Sequence, residues 1–182
     1  MNNIRLLTIL FLILNFLCVD VRAQENEVVK SKVDFNSSDS QESIFPIPLG
    51  IINDYSDVFS IYQIKELSNI LYDYDLETTR QIVVVTIDDI SGYDDIQKYA
   101  TDLGNEWGVG TAEKDNGLVI VLSIPLRKLA IATGSGVDHI LTDEICKSVI
   151  DNIIIPEFKT RKYYDGVKKG IDELITVWDN EK

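Results

Sequence analysis

The chain has few of the residues that staple a small domain or build a soft-metal site: two cysteines and one histidine in 182 residues. One imidazole, His139, cannot serve a histidine phosphatase, and with Cys146 seven positions on it does not make the ligand pattern of a zinc site. Positive charge is also scarce. There are 17 Lys and Arg against 30 Asp and Glu, a formal net charge of −13. That balance excludes nucleic acid, whose binding rests on cationic side chains, and argues against anionic membrane surfaces. It suits divalent cations, although an acidic surface also simply keeps a protein dispersed. Long apolar runs are confined to one, Leu6 to Val19. At roughly fourteen residues it falls short of the ~20 needed to span hydrocarbon.

That run, preceded by Arg5 and followed by Val21-Arg22-Ala23, reads as a secretory signal peptide over residues 1–23, cut before Gln24. Leu17 stands where lipoprotein processing at Cys18 wants a small residue. The expected mature chain therefore has about 159 residues, Cys146 as its sole cysteine and no internal disulfide. Its charge is −14, from 15 Lys and Arg against 29 Asp and Glu. No transmembrane segment is expected in it, and its location is periplasmic or secreted. Residues 24–43 are polar and aperiodic, a disordered tether. They carry an Asn36-Ser37-Ser38 sequon that has meaning only in a eukaryotic source. Residues 44–182 make one domain, large enough to be held by its core alone.

Within that domain Ser60 and Gln63 form a capping box ahead of Ile61, Ile64, Leu67, Ile70 and Leu71, which recur at helical spacing through about Thr79. Gln81 to Ile87 is a continuous β-branched run, a strand covered on both faces. A helix follows from about Asp94 to Glu106. Leu118 to Leu122 and Lys128 to Thr133 flank Pro125-Leu126-Arg127 as an antiparallel hairpin. Thr142 caps a helix to about Ile153, with Asp143 and Glu144 in its first turn and Cys146 on its apolar face, a buried thiol. Pro156 breaks the pattern. A last helix runs from Tyr163 or Tyr164 to Trp178, so one of the two tyrosines should pack and the other face solvent. The sum is a single α/β/α sandwich, a mixed sheet of about four strands with helices on both faces.

Two glycine-bearing loops stand at strand ends. Trp107-Gly108-Val109-Gly110 and Lys114-Asp115-Asn116-Gly117 precede one strand, and Gly134-Ser135-Gly136 follows another. Glycine lets a backbone carbonyl approach a ligand where no Cβ intervenes. Equally, Asp-Asn-Gly is ordinary turn chemistry. Gly134-Ser135-Gly136 is no dinucleotide fingerprint, because the third glycine is replaced by His139 and the strand belongs to a hairpin. Asp73-Tyr74-Asp75 falls near the end of an amphipathic helix, where surface charge accounts for it. Trp178 reads as packing, and Trp107 either packs or floors the site.

The joint order of several pieces resembles the TPM domain family. They include Asn53-Asp54-Tyr55, Gln81-Ile82-Val83-Val84-Val85, Trp107-Gly108-Val109-Gly110, Asp115-Asn116-Gly117, Gly134-Ser135-Gly136-Val137, Leu141-Thr142-Asp143 and Tyr163-Tyr164-Asp165-Gly166. The likeness spans residues 50–178. It departs in carrying Ser135 where relatives commonly have an aromatic, and in showing no C-terminal transmembrane helix or Gly-rich tail.

The resemblance implies a compact α/β/α domain, secreted or membrane-attached, with a calcium site in some members and weak acid phosphatase activity in others. On that footing Asp115 is the leading metal candidate. Asp54, Asp138 and Asp143, with carbonyls near Gly110 and Gly134, would be its partners, and Trp107, Asn116, Gly117, Ser135 and Gly136 would shape the loops. Each has a plain structural alternative: Asp54 as a helix-entry cap, Asp138 as a solvated loop residue, Asp143 as a complement to the helix dipole. The expected function is a non-enzymatic, calcium-binding extracytoplasmic module acting through an envelope or secreted protein partner. The alternative is a metal-assisted phosphomonoesterase, against which stands the lack of any cation but Lys114 near the loops.

Overall fold

The computed structural model describes residues 43–180. The signal peptide, Cys18, the sequon and all but the last residue of the tether lie outside that range. The element order is β1 (Ile52–Asp54), α1 (Ile61–Thr78), β2 (Gln81–Thr86), α2 (Ile96–Trp107), β3 (Gly117–Ser123) and β4 (Lys128–Thr133). Then come α3 (Asp143–Val149), a π-helical turn (Ile150–Ile154), α4 (Ile155–Lys159) and α5 (Tyr163–Asp179).

The sheet runs β1-β2-β3-β4, with the first two pairings parallel and the last antiparallel. Strand pleating sends alternate residues to opposite faces, and each face has its own core. Ile82, Val84, Leu118, Ile120, Leu122 and Ile131 point to one side, where Leu67 and Leu71 of α1 and Ile171 and Leu174 of α5 pack. Val83, Val85, Val119, Val121, Ala130 and Ala132 point to the other, beneath Tyr99, Ala100 and Leu103 of α2. The small Ala130 and Ala132 let α2 lie close to the sheet. Sheet order advances the same way through β1-α1-β2 and β2-α2-β3, yet α1 and α2 cover opposite faces. The two crossovers are therefore of opposite hand, a departure from the usual right-handed rule.

The expected elements are present, with two differences. Ile52–Asp54 is a three-residue edge strand that the polar Asn53-Asp54 hides from any alternation pattern. Pro156 does not end its helix. It sits inside a helical run from Asp143 to Lys159, although proline lacks an N–H and its ring clashes with the carbonyl four residues back. The chain widens to a π turn just before it, where Ile155 N–H bonds Ile150 O, five residues back. Neither Tyr163 nor Tyr164 is fully exposed. Both are half-buried, Tyr163 edge-on to Phe158 at 5.2 Å and Tyr164 edge-on to Phe59 at 6.4 Å between ring centroids. The tyrosines fail to split because the short α4 folds back alongside the start of α5 and offers Tyr163 a ring to pack on.

Cys146 is 5% exposed, and burial pushes its thiol up to about 11. That keeps it protonated and inert at neutral pH.

Candidate functional site

The amino edge of β2 and β3, together with the end of β4, gathers the glycine loops. Gln81 pairs with Gly117, and Leu118 pairs with Thr133. The Asp115 backbone takes a left-handed φ of 46° at the tip. Its carboxylate Oδ2 accepts the Ser135 N–H at 3.0 Å and the Ser135 hydroxyl at 2.6 Å, so it stitches one loop to the other. These two bonds, the hydroxyl's first, hold the Asp115 carboxyl below its ordinary value. Asn116 is buried behind it. Its Oδ1 accepts from the Thr111 N–H and hydroxyl, and its Nδ2 donates to Thr79 O at 2.6 Å. Lys114 Nζ donates to the Thr79 hydroxyl. The Gly110 N–H is taken by Gln81 Oε1 at 2.8 Å.

The glycines here admit the protein's own backbone. A Cβ on Gly134 would fall well inside van der Waals contact distance of Asp115 O, and one on Gly136 well inside that of Lys114 O. Loop 114–117 and loop 134–136 lie backbone against backbone, joined by Gly134 N–H to Gly117 O and Gly136 N–H to Asp115 O. Gly134 O already accepts from the Val137 and Asp138 N–H groups.

Asp54 is elsewhere. It closes β1 at the carboxyl edge, paired with Thr86, which in turn pairs with Leu122. Five residues of β3 separate that edge from Gly117, roughly 17 Å at the strand rise. Both Asp54 oxygens are engaged. Oδ1 accepts from Val58 N–H and the Thr86 hydroxyl, and Oδ2 from Phe59 N–H, so the side chain shapes the entry to α1. Replacing Asp54 with alanine is expected to cost about 2 kcal/mol by orphaning these donors. Denaturant titration of the variant checks this, and a loss under about 0.5 kcal/mol would refute the role.

The Trp107 indole N–H donates to Pro46 O, and the residue lines a small cavity of about 200 Å³ with Gly108 and Val109 of its own loop and with Pro48, Leu71 and Gln81, a cavity that neither Asp115 nor Ser135 lines. A reading from sequence has no signal for that placement, since Pro46 is 61 residues away.

Asp138 and Asp143 do come together. With Glu144, Thr133, Thr142 and Gln97 they line a polar cavity of about 450 Å³ beside edge strand β4, where His139 also reaches. Glu144 sits in the first turn of α3 as the sequence places it, but it is not among the expected ligands. Its carboxyl is held below its ordinary value by its own backbone N–H and the Thr142 hydroxyl. Thr142 also caps the helix through Ile145 N–H. The full expected calcium set does not fit, because Asp54 stands at the far edge of the sheet and Asp115 is not on this cavity. The smaller set does suit a hard cation by chemistry: carboxylates, hydroxyls and an amide oxygen. Among the described residues no three His, Cys, Asp or Glu side chains close on a common point. A cation here would draw on two carboxylates and complete its shell with neutral oxygens and water.

The TPM domain model matches residues 52–177. No curated protein sequence matches the chain. Among solved structures, the N-terminal domain of a Porphyromonas gingivalis protein is similar at 26% identity and TM-score 0.65, over 71% of this chain and 82% of its own. The N-terminal domain of a Corynebacterium glutamicum protein (16%, TM-score 0.57) aligns over 77% of this chain and 88% of its own. A protein from the psychrophilic bacterium Bizionia argentinensis (17%, TM-score 0.58) aligns over 68% and 83%. The last two likenesses speak to the fold alone.

Proposed function

This chain belongs to the TPM domain family, and we propose on that premise that it is an extracytoplasmic, calcium-binding module that acts through a protein partner at the cell envelope rather than by catalysis. The observation that carries the reading is that Asp138, Asp143 and Glu144 line one oxygen-rich cavity, though no three acids among the described residues close on a common point, near a loop pair cross-linked by Asp115 and Ser135. Like charges on such a wall repel, and a divalent cation relieves that repulsion. Calcium is favoured over magnesium because it accepts irregular shells of six to eight oxygens. A formal charge of −13 supports cation attraction to the surface in general. Among the described residues no helix is long and apolar enough to cross a membrane. Export would rest on the segment Met1–Ala23.

The test is a thermal melt of the full chain in EDTA and in about 10 mM calcium. Extracellular calcium modules bind with Kd near 10⁻⁴–10⁻³ M. Occupancy at ~10–100 Kd then adds about 1.4–2.7 kcal/mol, a rise of roughly 3–10 °C. The rise should vanish in the Asp138→Asn/Asp143→Asn double variant and persist in Asp54→Ala. A melt that calcium does not move, or a rise that survives the double variant, overturns the cation site.

A further inference from the structure

At the carboxyl edge of the sheet, opposite the glycine loops, lies a groove of about 990 Å³. It is built from three stretches distant in sequence: the start of α2, the β3–β4 turn, and the α4–α5 corner. Its apolar wall includes Leu129, Ile150, Ile155 and Phe158, and its rim carries Arg127, Lys128, Lys159 and Arg161. Four cations on one groove are conspicuous in a chain with 17 Lys and Arg against 30 acids.

Among the described residues five basic side chains elsewhere are answered by acids: Arg80 by Asp179, Lys98 by Asp102, Lys147 by Asp151, Lys168 by Asp172 and Lys169 by Glu157, while Lys65, Lys114 and Lys162 make no ion pair. On the rim Lys128 Nζ is occupied by the carbonyl of Asp94. Arg127, Lys159 and Arg161 make no ion pair and no side-chain hydrogen bond among the described residues. All three are exposed. Arg127 and Arg161 are presented from left-handed turn positions, φ 54° and 63°, a conformation non-glycine residues seldom adopt. Asp94 and Asp95 also line the groove; the Asp95 carboxylate is turned to cap α2 through Gln97 N–H, and Asp94 meets Lys128 through its carbonyl.

The groove begins at Asp94-Asp95, where the chain leaving β2 enters α2, and is closed by the β3–β4 turn and the α4–α5 corner.

We propose that this groove is a docking site for an acidic peptide segment of a partner protein, one that sets aliphatic or aromatic side chains on the Ile155–Phe158 wall and carboxylates against Arg127, Lys159 and Arg161. The apolar wall asks for side chains that an inorganic anion lacks. The acidic remainder of the surface opposes a long polyanion, but a short segment meets only the rim. This inference rests on the partner-binding part of the function proposed above and not on its cation.

The experiment is fluorescence polarisation of the full chain, in EDTA and again in calcium, with labelled dodecapeptides. One probe alternates Glu with Leu and Phe, a second replaces Glu by Lys, and a third replaces Leu and Phe by Ser. The first should bind, weaken as salt rises, and exceed the other two by about tenfold or more. The Arg127→Glu/Arg161→Glu variant should lose about tenfold in affinity for it, while Lys65→Glu, away from the groove, should not. Circular dichroism of the reversal variant confirms that its fold is retained. The proposal is overturned if the acidic probe fails to bind at 1 mM peptide, binds the reversal variant equally, or is matched by the Ser probe. Displacement by millimolar phosphate, or tighter binding of an oligothymidylate, also overturns it, in favour of a small anion or a nucleic acid. Binding in EDTA with a flat calcium melt would uphold the groove and sink only the cation site.

Discussion

Replacing Trp178 with alanine is expected to lower stability by about 4 kcal/mol, the range for emptying a large aromatic from a core. Trp178 is 2% exposed in the last turn of α5 and meets Tyr74 of α1 at 6.2 Å between ring centroids. Arg80 lies over the ring, Cζ 5.1 Å from its centre, and its guanidinium donates to Asp179 at 2.7 Å and to the Tyr74 hydroxyl at 3.1 Å. The indole is thus the packed centre of a clasp joining the end of α5 to the end of α1. Without it the cavity is bounded by Arg80, which then faces a void. For a domain of this size the loss corresponds to roughly 8–16 °C in Tm. Circular dichroism melts read it without relying on tryptophan emission. A fall of less than about 4 °C would show that the two helix ends do not depend on each other.

The second large effect is expected at Gly136. Alanine there places a methyl against Lys114 O, a backbone atom that can move only if the whole 114–117 loop moves. Overpacking that forces backbone shifts costs typically 1–3 kcal/mol, occasionally more. Here the shift also strains the Ser135 bonds to Asp115 and the Gly136 N–H bond to Asp115 O. A loss of about 3 kcal/mol is expected, with faster amide exchange at Ser135 and Gly136 as the local signature. This variant separates two meanings of the glycine loop. If glycine served a ligand's approach, Gly136→Ala would melt like the parent and fail only in binding. If it serves loop-on-loop packing, stability falls first.

The glycine loops also show how far a reading of residues reaches. Asp115-Asn116-Gly117 and Gly134-Ser135-Gly136 are visible as turns at strand ends, but what fills the space beside each glycine is set by register. Because Leu118 pairs with Thr133, the residues just outside the pair must run side by side, and only small ones fit. The family resemblance makes Asp54 a partner of Asp115, with a helix-entry cap as its plain alternative. Parallel pairing of β1 with β2 sends it to the opposite edge, where its oxygens are spent on Val58, Phe59 and Thr86. The basic groove had no trace in the sequence. Arg127 sits in a hairpin turn, Lys159 and Arg161 at a helix end more than thirty residues later, and each alone is an ordinary surface cation.

What the sequence by itself determined is local: the capping box at Ser60, the buried β-branched strands, the hairpin, the amphipathic helices, and from their order a single α/β sandwich. These follow from periodicity and turn chemistry, which act over a few residues and so are written in adjacent letters. Tertiary structure alone decided which carboxylates share a cavity, which glycines face a carbonyl, which side of the π turn Pro156 occupies, and where the unpaired cations gather. Those outcomes depend on strand register, crossover hand and the docking of α5. Each of these is settled by burying apolar area between segments far apart in the chain, and no short stretch of residues encodes it.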